Sequence, residues 1–306
     1  MKITPHSALS FLANTVRQSP RYAWLYAMRF DGLSDDEIEY LISRQFKSVM
    51  GYWPNLKNPK TLNEKIQWLK IHIRDPLMTT CADKVLAREY VASNIGEHYL
   101  VPGLGVYENP NEIKVEELPT RFVLKVNWGS GQNIICKDKN TFDFRLAKKQ
   151  LLKWMQPSAN HYYDFLEWCY KDIEPKILAE QYIEQLDGYL VDYKFHVFNG
   201  KPVLLQFIDR WESHRETIYT IDDWKPTGLH FTYDLLDRDF QFTENIKTMI
   251  GLCEKLAKPF PYVRVDFYET CNRILFGELT FYPGNGELSM PDEWNNRLGN
   301  MLELPR

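Results

Sequence analysis

No Cys-x-x-Cys pair occurs in this sequence. Its five cysteines, Cys81, Cys136, Cys169, Cys253 and Cys271, are odd in number and far apart. A zinc cage or a disulfide framework is therefore not expected, and a reducing, cytoplasmic setting is. No run of about 18 apolar residues is present, so no membrane-spanning helix is expected. The opening MKITPHSALSFLANTVRQSP lacks a signal-type apolar core with a small-residue cleavage site and reads as a helical lead-in. Its aromatic, basic continuation, RYAWLYAMRF, is the one stretch suited to peripheral contact with a membrane surface. Basic excess is missing as well: 37 Lys and Arg face 41 Asp and Glu, a net charge of −4. That balance gives no electrostatic footprint for nucleic acid.

Several motifs are missing too. The one compact glycine loop lacks the Gly-Lys-Ser/Thr of a Walker A loop and the third glycine of the dinucleotide fingerprint. No Ser/His/Asp or Cys/His constellation calls for a protein nucleophile. His161, His196 and His214 have no metal-ligand spacing and read as structural.

What is present divides by texture. At 306 residues the chain has room for roughly two domains, at about 150 residues each. Residues 1–100 read as a mainly helical N-terminal region. Apolar residues recur at helical spacing after Asp35-Asp36, and again through Leu62, Ile66, Leu69 and Ile73, where Thr61 and Glu64 fit a capping box. Asp83 is the expected cap of a helix from Lys84 to about Ile95, and Gly96 its end. Residues 101–180 read as a small lobe of strands and helices. Residues 181–306 read as a larger lobe with two hairpins, the first joined by Asn199-Gly200, the strongest short hairpin signal. The order is α+β rather than an alternating parallel sheet.

The second hairpin, Tyr262–Tyr268 with Ile274–Phe281, permits a register calculation. A three-residue loop at Cys271-Asn272-Arg273 sets Asp266 opposite Glu278. Alternation then gathers Arg264, Asp266, Tyr268, Phe276, Glu278 and Thr280 on one face. The other face takes Val263, Val265, Phe267, Leu275, Leu279 and Phe281, a core set. Opposed carboxylates repel at this range and call for a cation. Mg²⁺ fits, because it takes one or two carboxylates and completes its shell with water and phosphate oxygens. A solvated face carrying an Arg–Asp pair explains the same residues equally well.

Upstream, Lys125 sits on a strand leading into Gly129-Ser130-Gly131-Gln132. Such glycines let backbone amides approach phosphate oxygens, and a nearby lysine adds a point charge; a plain turn between strands is the other reading. The chain order is Lys84, Lys125 and the glycine loop, then Leu178-Ala-Glu180-Gln-Tyr182-Ile183, Asp192-Tyr-Lys194, Arg264-Val-Asp266 and Glu278-Leu-Thr-Phe-Tyr-Pro283-Gly284. This order, over roughly residues 80–290, resembles the ATP-grasp superfamily. Ala82-Asp83-Lys84, Phe-Val-Leu-Lys-Val-Asn and Gly277-Glu-Leu-Thr-Phe are most similar to its TupA-like (teichuronopeptide-biosynthesis) branch, which is associated with cell-surface polysaccharide synthesis.

The resemblance implies an ATP-grasp fold: two α+β lobes, 101–180 and 181–306, that clasp ATP. By position, Lys84 and Lys125 contact the α and β phosphates, and Gly129, Ser130, Gly131 and Gln132 close over the terminal ones. Glu180 meets the adenine amino group, Tyr182 and Ile183 the ring edge, and Asp192 the ribose. Lys194, Arg210 and Arg264 stabilise the transferring phosphoryl group, and Asp266 and Glu278 ligate Mg²⁺. Gly284, Asn285 and Gly286 fall at the acceptor end. Thr280 stands where ATP-grasp ligases usually carry Asn, which leaves the number of metals open. The implied reaction is carboxylate–amine ligation through an acyl phosphate, with a sugar acid and an amino acid as substrates for this branch. Two other readings are a glycosyltransferase, from Asp237-Arg238-Asp239, and a non-catalytic scaffold.

Overall fold

The computed structural model describes residues 32–183, 191–210, 214–237, 240, 242–270 and 273–305. The helical lead-in, the RYAWLYAMRF segment, Arg238 and Asp239 of the Asp-x-Asp motif, and the hairpin tip at 271–272 lie outside the described residues. The chain forms two compact units, each discontinuous in sequence. Among the described residues, one is built around Asp83–Val85 and Pro102–Tyr182, the other around Glu39–Ala82, Leu86–Val101 and the chain from Ile183 onward. No helix among the described residues is long and apolar enough to cross a membrane.

The first unit holds a four-stranded antiparallel sheet of β1 (Gly103–Tyr107), β2 (Phe122–Val126), β3 (Asn133–Cys136) and β4 (Ile177–Gln181), in the order β1-β4-β2-β3. Phe122, Leu124, Val126, Ile177 and Ala179 are fully buried, which explains why the central strands are almost continuously apolar.

The second unit begins with helices. α1 (Asp35–Met50) buries Ile42 and Phe46, and α2 (Leu62–His72) starts at the expected Thr61–Glu64 capping box. α3 (Pro76–Ala82) leads towards α4 (Ala87–Ile95), which ends at Gly96 with φ 110°. Here the expectation needs correcting: α4 starts at Ala87, and Asp83 does not cap it. Asp83 accepts from the Val85 amide at 2.7 Å and from Asn127 Nδ2 at 2.9 Å. The carboxylate has stronger use as a tie to the β2 end than at a helix start, so Lys84 stands in the first unit.

The large sheet is antiparallel throughout, in the order β7-β6-β5-β8-β9. Its strands are β5 (Val191–Phe198), β6 (Lys201–Asp209), β7 (Arg215–Thr220), β8 (Tyr262–Thr270) and β9 (Arg273–Thr280). β5 and β6 turn at Asn199 (φ 48°) and Gly200 (φ 78°), the positive pair that a two-residue hairpin requires. The helices following in sequence within the first unit are α5 (Phe144–Trp154) and α6 (His161–Phe165). In the second unit they are α7 (Asn245–Ala257) and α8 (Asp292–Met301). α7 packs on β5, β6 and β8, burying Met249, Cys253 and Leu256 with Phe195, Val265 and Phe267. Each such large side chain contributes about 1.5–3 kcal/mol.

The β8–β9 hairpin keeps the calculated pairing but reaches it differently. Thr270 pairs with Arg273, which is one residue tighter than the expected loop. A bulge then makes up the difference: Asp266 faces Glu278 while Phe267 faces Phe276, and Gly277 is the extra residue. Leu275 and Phe276 therefore exchange faces relative to strict alternation, and Phe276 packs edge-on to Phe267 in the core at 6.3 Å. A Cβ at Gly277 would lie 3.1 Å from the Asp266 carbonyl and 3.2 Å from the Tyr268 ring. Glycine suits that crowded position.

Candidate functional site

In the second unit, one face of the large sheet carries a continuous row of alternating charge. The antiparallel register sets Lys194 beside Asp266 and Asp266 beside Glu278. Arg210 reaches Asp192 through Nε at 3.1 Å, and Lys194 Nζ lies 3.9 Å from the same carboxylate. Lys194 also pairs directly with Asp266. Arg264 holds Asp266 by two bonds of 2.7 Å and reaches Glu278 Oε1 and Thr280 Oγ1 at 3.1 Å each. The row Arg210–Asp192–Lys194–Asp266–Arg264–Glu278 thus has three charges of each sign.

Burial makes this row consequential. Asp192 is 1% exposed and Asp266 2%, so neither is a solvated strand face. Removing one partner of a buried pair leaves an uncompensated charge, at a cost of about 3–5 kcal/mol. Burial by itself would lower the pKa of Arg264, but Asp266 and Glu278 outweigh it and hold the guanidinium above its ordinary value. Burial raises Tyr268, reinforced by Asp192, Glu278 and Asp266, so this phenol stays protonated. Asp192 Oδ1 is buried and has no hydrogen-bond partner among the described residues. Arg210 pairs with Asp192 across the hairpin, eighteen residues away in sequence.

The oxygen donors fit Mg²⁺. Asp266 and Glu278 are hard carboxylates on neighbouring strands, with the Thr280 hydroxyl 3.1 Å from Glu278 Oε1. Among the described residues no group of three or more His, Cys, Asp or Glu is gathered for a metal. That donor set matches an ion which takes few carboxylates and fills its shell with water and phosphate oxygens.

Beyond this hairpin, Gly284, Asn285 and Gly286 have successive φ values of 56°, 58° and 70°. Left-handed backbone at three consecutive positions must be held in place, and α2 does so. Gln67 Nε2 donates to the Asn285 carbonyl at 2.7 Å, and Lys70 Nζ to Asn285 Oδ1 at 2.6 Å. Asn63 Nδ2 donates to the Leu288 carbonyl at 2.8 Å. Asn63, Gln67 and Lys70 are buried and lie on one helical stripe, spaced four and three residues apart. The sequence reading missed them. The available signal was that Asn63, Gln67 and Lys70 share one helical stripe at four- and three-residue spacing.

In the first unit, Lys125 Nζ lies 2.6 Å from Glu180 Oε2, a diagonal pair across β2 and β4, where Glu180 faces Val123 and Lys125 faces Leu178. Glu180 is 6% exposed, and Arg121 stacks over the Tyr182 ring at 3.8 Å. Lys84 Nζ donates to the Gly129 carbonyl at 2.7 Å, so the two parts of the phosphate motif meet although 45 residues separate them. Gly131 is left-handed, at φ 68°, and Gln132 Nε2 donates to the Ala159 carbonyl at 3.0 Å.

Residues 64–303 match the TupA-like ATPgrasp family, and the chain belongs to that family. Comparison with curated proteins gives no match. Among solved structures, the chain is similar to D-alanine–D-alanine ligase from Helicobacter pylori, with 14% identity, coverage of 80% of this chain and 70% of that one, and a TM-score of 0.43. D-cycloserine synthetase DcsG gives 14% identity, 74% and 72% coverage, and 0.43. The ATP-grasp ligase PsnB with its minimal precursor gives 11%, 74% and 61%, and 0.40. The chain spans less than two thirds of the PsnB chain that it matches.

Proposed function

We propose that this protein is an ATP-dependent carboxylate–amine ligase. The observation that carries the reading is the row of alternating charge, with Asp192 and Asp266 buried in it, that ends in the opposed pair Asp266 and Glu278. A surface serving only stability gains little from six ionic groups set around two buried carboxylates, Asp192 and Asp266. A surface that must receive a polyphosphate and a divalent cation needs both signs in place beforehand.

The roles follow by position. Asp266 and Glu278 would hold Mg²⁺, which supplies charge neutralisation and orientation of phosphate oxygens when bound. Lys194, Arg210 and Arg264 offset charge on the transferring phosphoryl group. Lys84 and Lys125 bind the inner phosphates, and Gly129, Ser130, Gly131 and Gln132 cover the outer ones. Glu180, Tyr182 and Ile183 take adenine, and Asp192 Oδ1 takes a ribose hydroxyl. The substrate carboxylate attacks the γ phosphorus and ADP leaves. An amine then attacks the acyl carbon, and phosphate leaves with formation of the amide. Positioning and charge supply most of the catalysis.

Family membership supports a sugar acid as the carboxylate and an amino acid as the amine, in synthesis of surface polysaccharide. Gly284, Asn285 and Gly286 lie at the acceptor end of this scheme. The test is thermal stabilisation by an ATP analogue with Mg²⁺, in wild type and Asp266→Asn, followed by a screen for ADP release with uronic acids and amino acids. No stabilisation of wild type by the nucleotide would end the reading. Stabilisation by a nucleotide sugar with Mn²⁺ instead would favour glycosyl transfer.

A further inference from the structure

The glycine loop of the first unit is tied down at four points. Lys84 holds the Gly129 carbonyl, and the Val126 amide closes the turn by donating to the Gln132 carbonyl at 3.0 Å. Gln132 reaches Ala159, and the Ser130 amide donates to His161 Nε2 at 3.3 Å. The last tie is unusual in kind. A backbone amide in a phosphate-type loop is given to an imidazole lone pair, so that nitrogen carries no proton.

The other ring nitrogen completes the arrangement. Since Nε2 accepts, the proton of the neutral ring sits on Nδ1. Nδ1 lies 3.4 Å from Glu167 Oε2, a carboxylate 5% exposed. Phe165 and Tyr170 flank the ring, with centroids at 5.8 and 5.3 Å. Two structural features bring Glu167 behind His161. α6 stops after Phe165, where Leu166 takes a left-handed φ of 55°, and a 3-10 turn follows at Trp168–Tyr170. A helix running unbroken from His161 to Tyr170 would leave no such return of the chain.

We propose that His161, backed by Glu167, is a positioning residue of the nucleotide-phosphate loop: it holds the Ser130 amide and so fixes the loop in the form that receives the terminal phosphates. The proposal rests on the nucleotide reading above. It assigns His161 no metal and no proton transfer. A side chain with a purely structural role would support adenosine and triphosphate binding alike. A loop-positioning residue affects only the ligands that reach the loop.

The experiment measures dissociation constants of adenosine and of β,γ-imido-ATP with Mg²⁺ by calorimetry, for wild type, His161→Ala and His161→Gln. Loss of one hydrogen bond of ordinary strength predicts triphosphate binding weaker by about tenfold in His161→Ala, with adenosine changed by less than about twofold. His161→Gln, which keeps an acceptor for the amide, recovers most of the loss. Equal weakening of both ligands, or unchanged triphosphate affinity in His161→Ala, overturns the proposal. So does a Gln variant no better than Ala with an intact melting temperature. If wild type binds neither ligand, the nucleotide reading itself fails and takes this proposal with it.

Discussion

Arg264 grips Asp266 with two parallel hydrogen bonds, Nε to Oδ1 and Nη2 to Oδ2, both 2.7 Å. Lys194 takes the same carboxylate from the neighbouring strand. The oxygens proposed for Mg²⁺ are therefore paired with the cations proposed for phosphate.

On the proposed roles, sharing these partners would couple metal binding to nucleotide binding. A cation arriving alone must displace Arg264, whereas phosphate arriving with it gives the guanidinium a new partner. Mn²⁺, used as a spectroscopic stand-in, is expected to bind at least about tenfold more tightly with ADP than without. Electron paramagnetic titration of free Mn²⁺ measures this directly. Equal affinity in both titrations would remove the coupling.

Asp266→Ala strands two cations at a buried position and is expected to cost about 3–5 kcal/mol by denaturant unfolding. Glu278, whose side chain is 32% exposed, is worth less, about 1 kcal/mol for Glu278→Ala. Pairing Asp266→Ala with Arg264→Met should recover part of the loss. Strictly additive single costs would show that the two side chains do not act as a pair.

His196 supplies a pH dependence. The ring is fully buried beside Tyr262 Oη at 2.8 Å, and burial, aided by Arg264, lowers its pKa from 6.5 to about 3. The unfolded chain therefore takes up a proton that the folded chain refuses. Stability is fully present above pH 6.5 and falls as pH drops towards 3, by an amount on the order of a few kcal/mol. The comparison is wild type against His196→Asn across that window. The difference between them should shrink as the medium is acidified, and parallel curves would contradict the assignment.

Lys70 tests the α2 support. Lys70→Met keeps the volume but removes the donor to Asn285 Oδ1, leaving a buried acceptor unsatisfied at about 1–3 kcal/mol. On the proposed reaction, KM for the amine should rise while the dissociation constant for ATP stays level. A rise confined to ATP would place the 283–286 turn at the wrong end of the reaction.

Much of this was legible beforehand because it is local. Thr61 with Glu64, Asn199-Gly200 and the alternation through Arg264, Asp266, Glu278 and Thr280 are short-range patterns, and each describes its own element. The hairpin tip was read one residue too long, and the pairing survived only because the bulge at Gly277 restores the count. The bulge is decided by cross-strand packing, here Phe276 turning into the core against Phe267, and its one local mark is Gly277 inside the strand.

By itself, then, the sequence determined most of the elements, the family, and the pairing of Asp266 with Glu278. Only the tertiary structure decided which partner each charge has. Arg210 answers Asp192 rather than Asp209, Lys84 reaches Gly129, Asn63, Gln67 and Lys70 hold the acceptor-end turn, and His161 holds Ser130. The reason is range: a side-chain bond acts over about 3 Å, and residues far apart in the chain come that close only after the sheets and helices have packed.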